Sequence, residues 1–191
     1  MKNEISSFII ADPSKCVGCR SCELACFTVH NTKNSTGYTV GTITTPVIPR
    51  LFLVRDEQFA MPVQCRHCED APCAKVRPYN AITIVDGAIT IDEDNCIGCK
   101  TCIMACPIGA IGLTEKTMKS QLEDLGKNKF AFKEKMIANK CDLCIGIEGG
   151  PACAEVCPTK AFRIIREEDL KTNINNKRKQ NAINILNVIN Q

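Results

Sequence analysis

The chain has 191 residues, a formal net charge of +3, 15 cysteines, no tryptophan and 5% aromatic residues. The length suits one or two small domains, the near-neutral charge makes no demand for nucleic acid, and no apolar run approaches the ~18 residues of a membrane helix. So many cysteines would suit a disulfide scaffold, but the opening stretch MKNEISSFIIADPSKC has none of the features of an export signal. The expectation is a cytoplasmic protein whose reduced thiols bind metal and supply much of the folding energy.

In chain order, a short apolar run in SFIIADPSKC leads into CVGCRSCELAC, with Cys16, Cys19, Cys22 and Cys26. Residues 27–50, rich in Thr, Asn and Gly, read as a loop, and the apolar run RLFLV after them as a strand. FAMPVQC then opens CRHCEDAPCAKVRP, with Cys65, Cys68 and Cys73 but Arg77 where the outline calls for another cysteine. PYNAITI and GAITIDEDNC give two more strands before CIGCKTCIMACP, with Cys96, Cys99, Cys102 and Cys106. Residues 114–140 are lysine-rich and read as a short exposed helix and a loop. CDLCIGIEGGPACAEVCP follows, with Cys141, Cys144, Cys153 and Cys157, then PTKAFRI and a cysteine-free tail from residue 167. All the cysteines fall in these four motifs. The repeating unit is strand, cysteine loop, short helix, turn, strand, with the last two cysteines of a motif one helical turn apart.

The spacing C-x2-C-x2-C-x3-C-P belongs to iron–sulfur clusters. Three thiolates within seven residues can face three corners of one cube only if the loop curls tightly, which Gly18 and Gly98 permit. Backbone N–H groups of such a loop offset the cluster's negative charge. The last cysteine, on the following helix, faces away and serves a partner cluster, so motifs come in pairs. Zinc is the competing reading for the second and fourth motifs taken alone, but the first and third crowd too many thiolates for one tetrahedral ion.

The stretches FIIADPSKCVGCRSCELAC, CRHCEDAPCAKV, CIGCKTCIMACPIGA and NKCDLC with GPACAEVCPTKA resemble the four-cluster ferredoxin-like subunits of molybdenum or tungsten oxidoreductases, over residues 7–166. The formate hydrogenlyase, hydrogen-dependent carbon dioxide reductase and formate dehydrogenase types are the most similar. The resemblance implies an α+β fold of tandem bacterial-type ferredoxin-like dicluster modules, two [4Fe–4S] sites each, with a C-terminal helical tail. One module would be discontinuous, 7–59 plus 134–166, and the other 60–113, with a Lys-rich insert at 114–133 and a tail at 167–191 for partner or self-association.

It also implies the ligand sets. Cluster A would take Cys16, Cys19, Cys22 and Cys157; cluster B Cys141, Cys144, Cys153 and Cys26; cluster C Cys65, Cys68, Cys73 and Cys106. Cluster D would take Cys96, Cys99 and Cys102, with Arg77 at the place of its fourth ligand. Guanidinium is a poor ligand. Three outcomes stay open: a [3Fe–4S] cluster, a [4Fe–4S] cluster with a non-cysteine ligand, or no cluster. The implied cofactors are three [4Fe–4S] clusters plus this odd fourth.

The implied function is that of a non-catalytic electron-transfer subunit. Its partners would be a formate dehydrogenase-type catalytic subunit and an iron hydrogenase or other ferredoxin-like subunits. A free-standing polyferredoxin and a redox sensor using the odd cluster are the alternatives. His30 and His67 are read beside the ligands or in packing. Lysines 116, 119, 127, 129, 133, 135 and 140 form a docking or solvated face. Ala182, Ile185, Leu186 and Ile189 share one face of a tail helix that a partner groove or a second copy, even a filament, would bury.

Overall fold

The computed structural model describes residues 7–31, 47–76, 78–121 and 130–189. Arg77 lies outside the described residues. The elements run β1 (Phe8–Ala11), α1 (Ser21–Asn31), β2 (Phe52–Arg55), β3 (Ala60–Val63), α2 (Pro72–Lys75), β4 (Ile82–Val85), β5 (Ala88–Ile91), α3 (Thr101–Ala105), β6 (Gly112–Gln121), β7 (Phe130–Asn139), α4 (Ala152–Glu155), β8 (Phe162–Ile165) and α5 (Glu167–Ile189). On β1 the burial alternates, with Ile9 and Ala11 buried between the half-buried Phe8 and Ile10.

The strands form four antiparallel pairs: β1 with β8, β2 with β3, β4 with β5 and β6 with β7. Phe8 faces Ile165 and Ala11 faces Phe162, so the first and last strands close on each other. Ile82 likewise faces Ile91. The order strand, motif, strand, strand, motif, strand therefore occurs twice, ending at β4 and again at β8. Helix α1 packs on α4 and α2 on α3, which brings the first motif to the fourth and the second to the third.

Three of the four motif helices are shorter than the spacing predicts. α3 ends at Ala105, and Cys106 is extended at φ −76, ψ 112. Pro107 explains this, because the residue before a proline is pushed out of the α region. α4 ends earlier still, at Glu155, two residues before Cys157. The first motif has Phe27 in the proline's place, and α1 continues to Asn31 with both Cys22 and Cys26 on it.

The lysine-rich stretch corrects the expected short helix. Its backbone is a hairpin, with Gly112 facing Asn139 at the core end and Gln121 facing Phe130 at the far end. Pairing that starts at the core continues outward, and tertiary pairing overrides local composition.

Among the described residues the buried apolar side chains include nine cysteines and eight alanines; only eight are large. The core is thus a lining for the cysteine sites. α5 has no buried residue, and positions 171–189 are exposed throughout. No helix among the described residues is long and apolar enough to cross a membrane.

Candidate metal centres

The loops of the first and third motifs are built alike. Asp12 Oδ1 accepts the Ser14 N–H at 3.0 Å, and Asp92 Oδ1 accepts those of Asp94 at 3.0 Å and Asn95 at 3.3 Å. The carbonyls of Asp12 and Asp92 accept the N–H of Cys16 at 3.2 Å and Cys96 at 3.0 Å. Gly18 and Gly98 then turn the chain at φ +66° and +69°. Arg20 and Lys100, at φ 65 and 67, launch α1 and α3. The Ser21 hydroxyl lies 3.4 Å from Cys19 Sγ, and that of Thr101 lies 3.2 Å from Cys99 Sγ. These hydroxyls hold both thiols below their ordinary value, through hydrogen bonds to the thiolate.

Backbone N–H groups aim at other sulfurs. Ala161 donates to Cys157 Sγ at 3.3 Å and Ala110 to Cys106 Sγ at 3.4 Å, from the same offset after each motif. Arg50 donates to Cys26 at 3.3 Å, His67 to Cys65 at 3.4 Å, and Ala138 to Cys96 at 3.4 Å. A row of such donors stabilises thiolate charge.

The cysteines gather around cavities. Cys16, Cys19, Cys22 and Cys157 line one of about 320 Å³. Cys65, Cys68, Cys73 and Cys106 line another of about 300 Å³. Cys96, Cys99 and Cys102 line a third of about 400 Å³, beside Pro78 and Tyr79, the two residues that follow Arg77 in sequence. Cys153 lies among Cys141, Cys26 and Cys144, whose charges oppose its own. All 15 thiols are free of disulfides. Burial pushes the Cys22 thiol up to about 11, that of Cys141 up to about 12, and raises Cys153 further. Bare, these groups keep their protons; a bound metal displaces them.

A polar network braces the Cys26 and Cys144 region. His30 Nδ1 donates to the Cys26 carbonyl at 2.7 Å, and His30 Nε2 lies 3.0 Å from Asp142 Oδ1. Asp142 Oδ1 also accepts the Cys144 N–H at 3.0 Å. Arg50 Nη1 donates to Asp142 Oδ2 at 2.6 Å, and its Nη2 reaches Glu93 at 3.4 Å. Burial works against charge on His30, but the bonds to Asp142 and Cys26 outweigh it and raise the imidazole to about 9. Against the same burial cost, His30 and Arg50 hold Asp142 down at about 2. The donor atoms of His30, Asp142 and Cys144 lie within 4.8 Å of one another.

His67 is buried, and its Nδ1 accepts the Ile89 N–H at 2.9 Å, which leaves the ring proton on Nε2. Lys140, read above with the exposed lysines, is instead 2% exposed, held inside by carbonyls of its own core. Of the other lysines, Lys135 reaches the Asp94 carbonyl at 3.0 Å, and the side chains at 116, 119, 127, 129 and 133 lie outside the described residues. Sequence reading missed Arg50, Asp142, Lys140 and Gln64. Only Asp142, inside CDLC, carried any positional signal.

The residues fit iron–sulfur groups. Every donor is a free thiol, the donors ring cavities, and the buried side-chain nitrogens of Gln64 and His67 have no partner among the described residues. Such N–H groups are donors that a sulfide accepts. Thiolate sets of this kind on a repeated strand–loop–helix–strand unit define an iron–sulfur protein of the ferredoxin-like dicluster class.

Comparison with known proteins agrees. The 4Fe-4S dicluster domain matches at residues 57–125 and again at 95–161. The electron transport protein HydN of Escherichia coli K12 is 38% identical over 180 residues, 94% of this chain and 99% of the relative. The putative electron transport protein YsaA of the same strain is 38% identical, covering 87% of this chain and 94% of its own. Formate hydrogenlyase subunit 2, also of that strain, is 37% identical, covering 87% and 85%. The chain belongs to this family of ferredoxin-like electron-transport proteins, and it is an iron–sulfur electron-transfer protein.

Proposed function

We propose that the chain relays single electrons between a formate dehydrogenase-type catalytic subunit and a hydrogenase or another ferredoxin-like subunit, with no bond-making chemistry of its own. The observation that carries the relay is the recurrence of cysteine-lined cavities, each edged by more than one motif, across a single fold. The relative named formate hydrogenlyase subunit 2 supports the partner class. Iron–sulfur clusters, when bound, supply reversible one-electron oxidation and reduction.

Cys16, Cys19, Cys22 and Cys157 hold one cluster, and Cys65, Cys68, Cys73 and Cys106 another; the cavity linings support both sets. Cys141, Cys144, Cys153 and Cys26 hold a third, supported by the mutual proximity of their thiols. The two modules, 7–59 with 134–166 and 60–113, draw support from the β1–β8 and β4–β5 pairs. Cys96, Cys99 and Cys102 hold the fourth cluster with three thiolates, as a [3Fe–4S] group or a [4Fe–4S] group with a non-cysteine ligand. Arg77 stands at the missing ligand's position in sequence.

Electron paramagnetic resonance of anaerobically purified protein tests this reading. A three-iron signal in the oxidised sample at about one spin per chain identifies Cys96, Cys99 and Cys102 as a three-iron site. A silent oxidised spectrum with strong reduced signals identifies cubanes throughout. Protein that carries zinc and no iron sinks the reading.

The exposed Ile185, Leu186, Val188 and Ile189 of α5 support a further role in joining a partner or a second copy, up to a filament. Deleting residues 172–191 should reduce the size of the assembly and leave the iron content unchanged. An unchanged size defeats that role.

A further inference from the structure

Lys140 is a buried ammonium that the ligand sets do not use. It directly precedes Cys141 and is 2% exposed. Its Nζ donates to the carbonyls of Ile89 and Cys141, the latter at 2.7 Å. Among the described residues no carboxylate lies within ion-pair distance of it. Carbonyl dipoles alone are weak compensation for a buried charge, and a cation survives inside a protein where nearby negative charge favours it. The negative charge at hand, once clusters are bound, is that of their thiolates and sulfides. Through its two carbonyl bonds Lys140 touches both sets: Ile89 lines the cavity that contains Cys73, and the second carbonyl is that of Cys141 itself. Those cysteines belong to the second and fourth motifs, one on each side of the junction between the modules.

The duplicated chain supplies a control. Gln64 precedes Cys65 as Lys140 precedes Cys141, and it too is 2% exposed. His67, two residues from Cys65, accepts the N–H of the same Ile89 whose carbonyl Lys140 engages, so its ring is neutral. Equivalent buried positions thus carry a neutral amide on one side of the junction and a cation on the other.

We propose that Lys140 is a fixed positive charge that raises the reduction potentials of the clusters held by the Cys141 and Cys73 sets, which makes the junction between the modules the favoured resting place for an electron. One-electron reduction adds one negative charge to a cluster, and an unscreened cation beside its thiolates stabilises that charge. The inference rests on the ligand sets proposed above.

The test is a dithionite titration of holoprotein followed by electron paramagnetic resonance, with iron counted in every sample. Lys140→Gln installs the amide that position 64 already tolerates. The midpoints of two clusters should fall together, by at least a tenfold change in their reduced-to-oxidised ratio, about 59 mV for one electron, while the others stay. Lys140→Arg should keep the wild-type midpoints. A fully loaded Lys140→Gln protein with unmoved midpoints overturns the proposal. Loss of iron in both Lys140→Gln and Lys140→Met, with retention in Lys140→Arg, shows a residue needed to hold the fold and overturns it as well. Wrong ligand sets would be recognised separately, as a wild-type iron count or number of signals that the four sets cannot accommodate.

Discussion

Gly18 and Gly98 occupy the same place in two loops but differ in what surrounds them. A Cβ at 18 meets only the guanidinium of Arg55, the far end of a flexible side chain. A Cβ at 98 runs into the backbone carbonyl of Met136. Both substitutions pay about 1–2 kcal/mol for a left-handed backbone. Gly98→Ala should cost roughly 2 kcal/mol more, because strand β7 must move. Denaturation of the two holoprotein variants checks the difference, and equal losses would contradict it. At Arg77 the outcome is chemical: for a three-iron site Arg77→Cys should remove the three-iron signal and add about one iron per chain, since a fourth thiolate completes a cubane, whereas for a cubane site the iron count should stay the same. The cysteines were legible in the sequence because their spacing is itself the geometry of the site. Lys140 was not. The lysines around it are spaced like a solvated face, and its burial arises from the carbonyl of Ile89, 51 residues away.

Among the elements, Pro107 decides where α3 stops, and the outline C-x3-C-P conceals that Cys106 lies outside the helix. The sequence showed the strands flanking each motif, since short apolar runs there have no other use. It did not show the β6–β7 hairpin, whose register depends on a partner strand rather than on its own lysines and glutamate. Nor did spacing reveal the tie among elements made by Arg50. This residue just before β2 joins Asp142 of the fourth motif to Glu93 in the third-motif loop, with His30 at the end of α1 on the same carboxylate. These side chains are partly shielded, so the bonds escape full solvent screening. Arg50→Met should destabilise the holoprotein by about 1–3 kcal/mol. In a double-mutant cycle with Asp142→Asn, much of that loss should vanish when both are changed; additive losses would show that the two residues act separately.

At the scale of the whole molecule, the fold is a half-chain unit used twice, with strands exchanged so that β8 closes on β1 and β4 on β5. The exchange explains why the cavity of Cys16, Cys19 and Cys22 is also edged by Cys157, and that of Cys65, Cys68 and Cys73 by Cys106. It also makes the two ends of the described core interdependent. With only eight large buried apolar side chains among cysteines and alanines, burial alone falls short of the conformational entropy of ordering this many residues, about 1–2 kcal/mol for each backbone position. Metal–thiolate bonding must supply the difference. Anaerobic removal of iron by a chelator should therefore unfold both modules in one transition, with loss of the strand signal in circular dichroism. α5 contributes no buried residue, so deleting it should leave the iron-loaded core's stability within about 0.5 kcal/mol. Two separated transitions on chelation would mean that each module folds alone, and that the exchanged strands β1 and β8 do less to join the halves than their pairing implies.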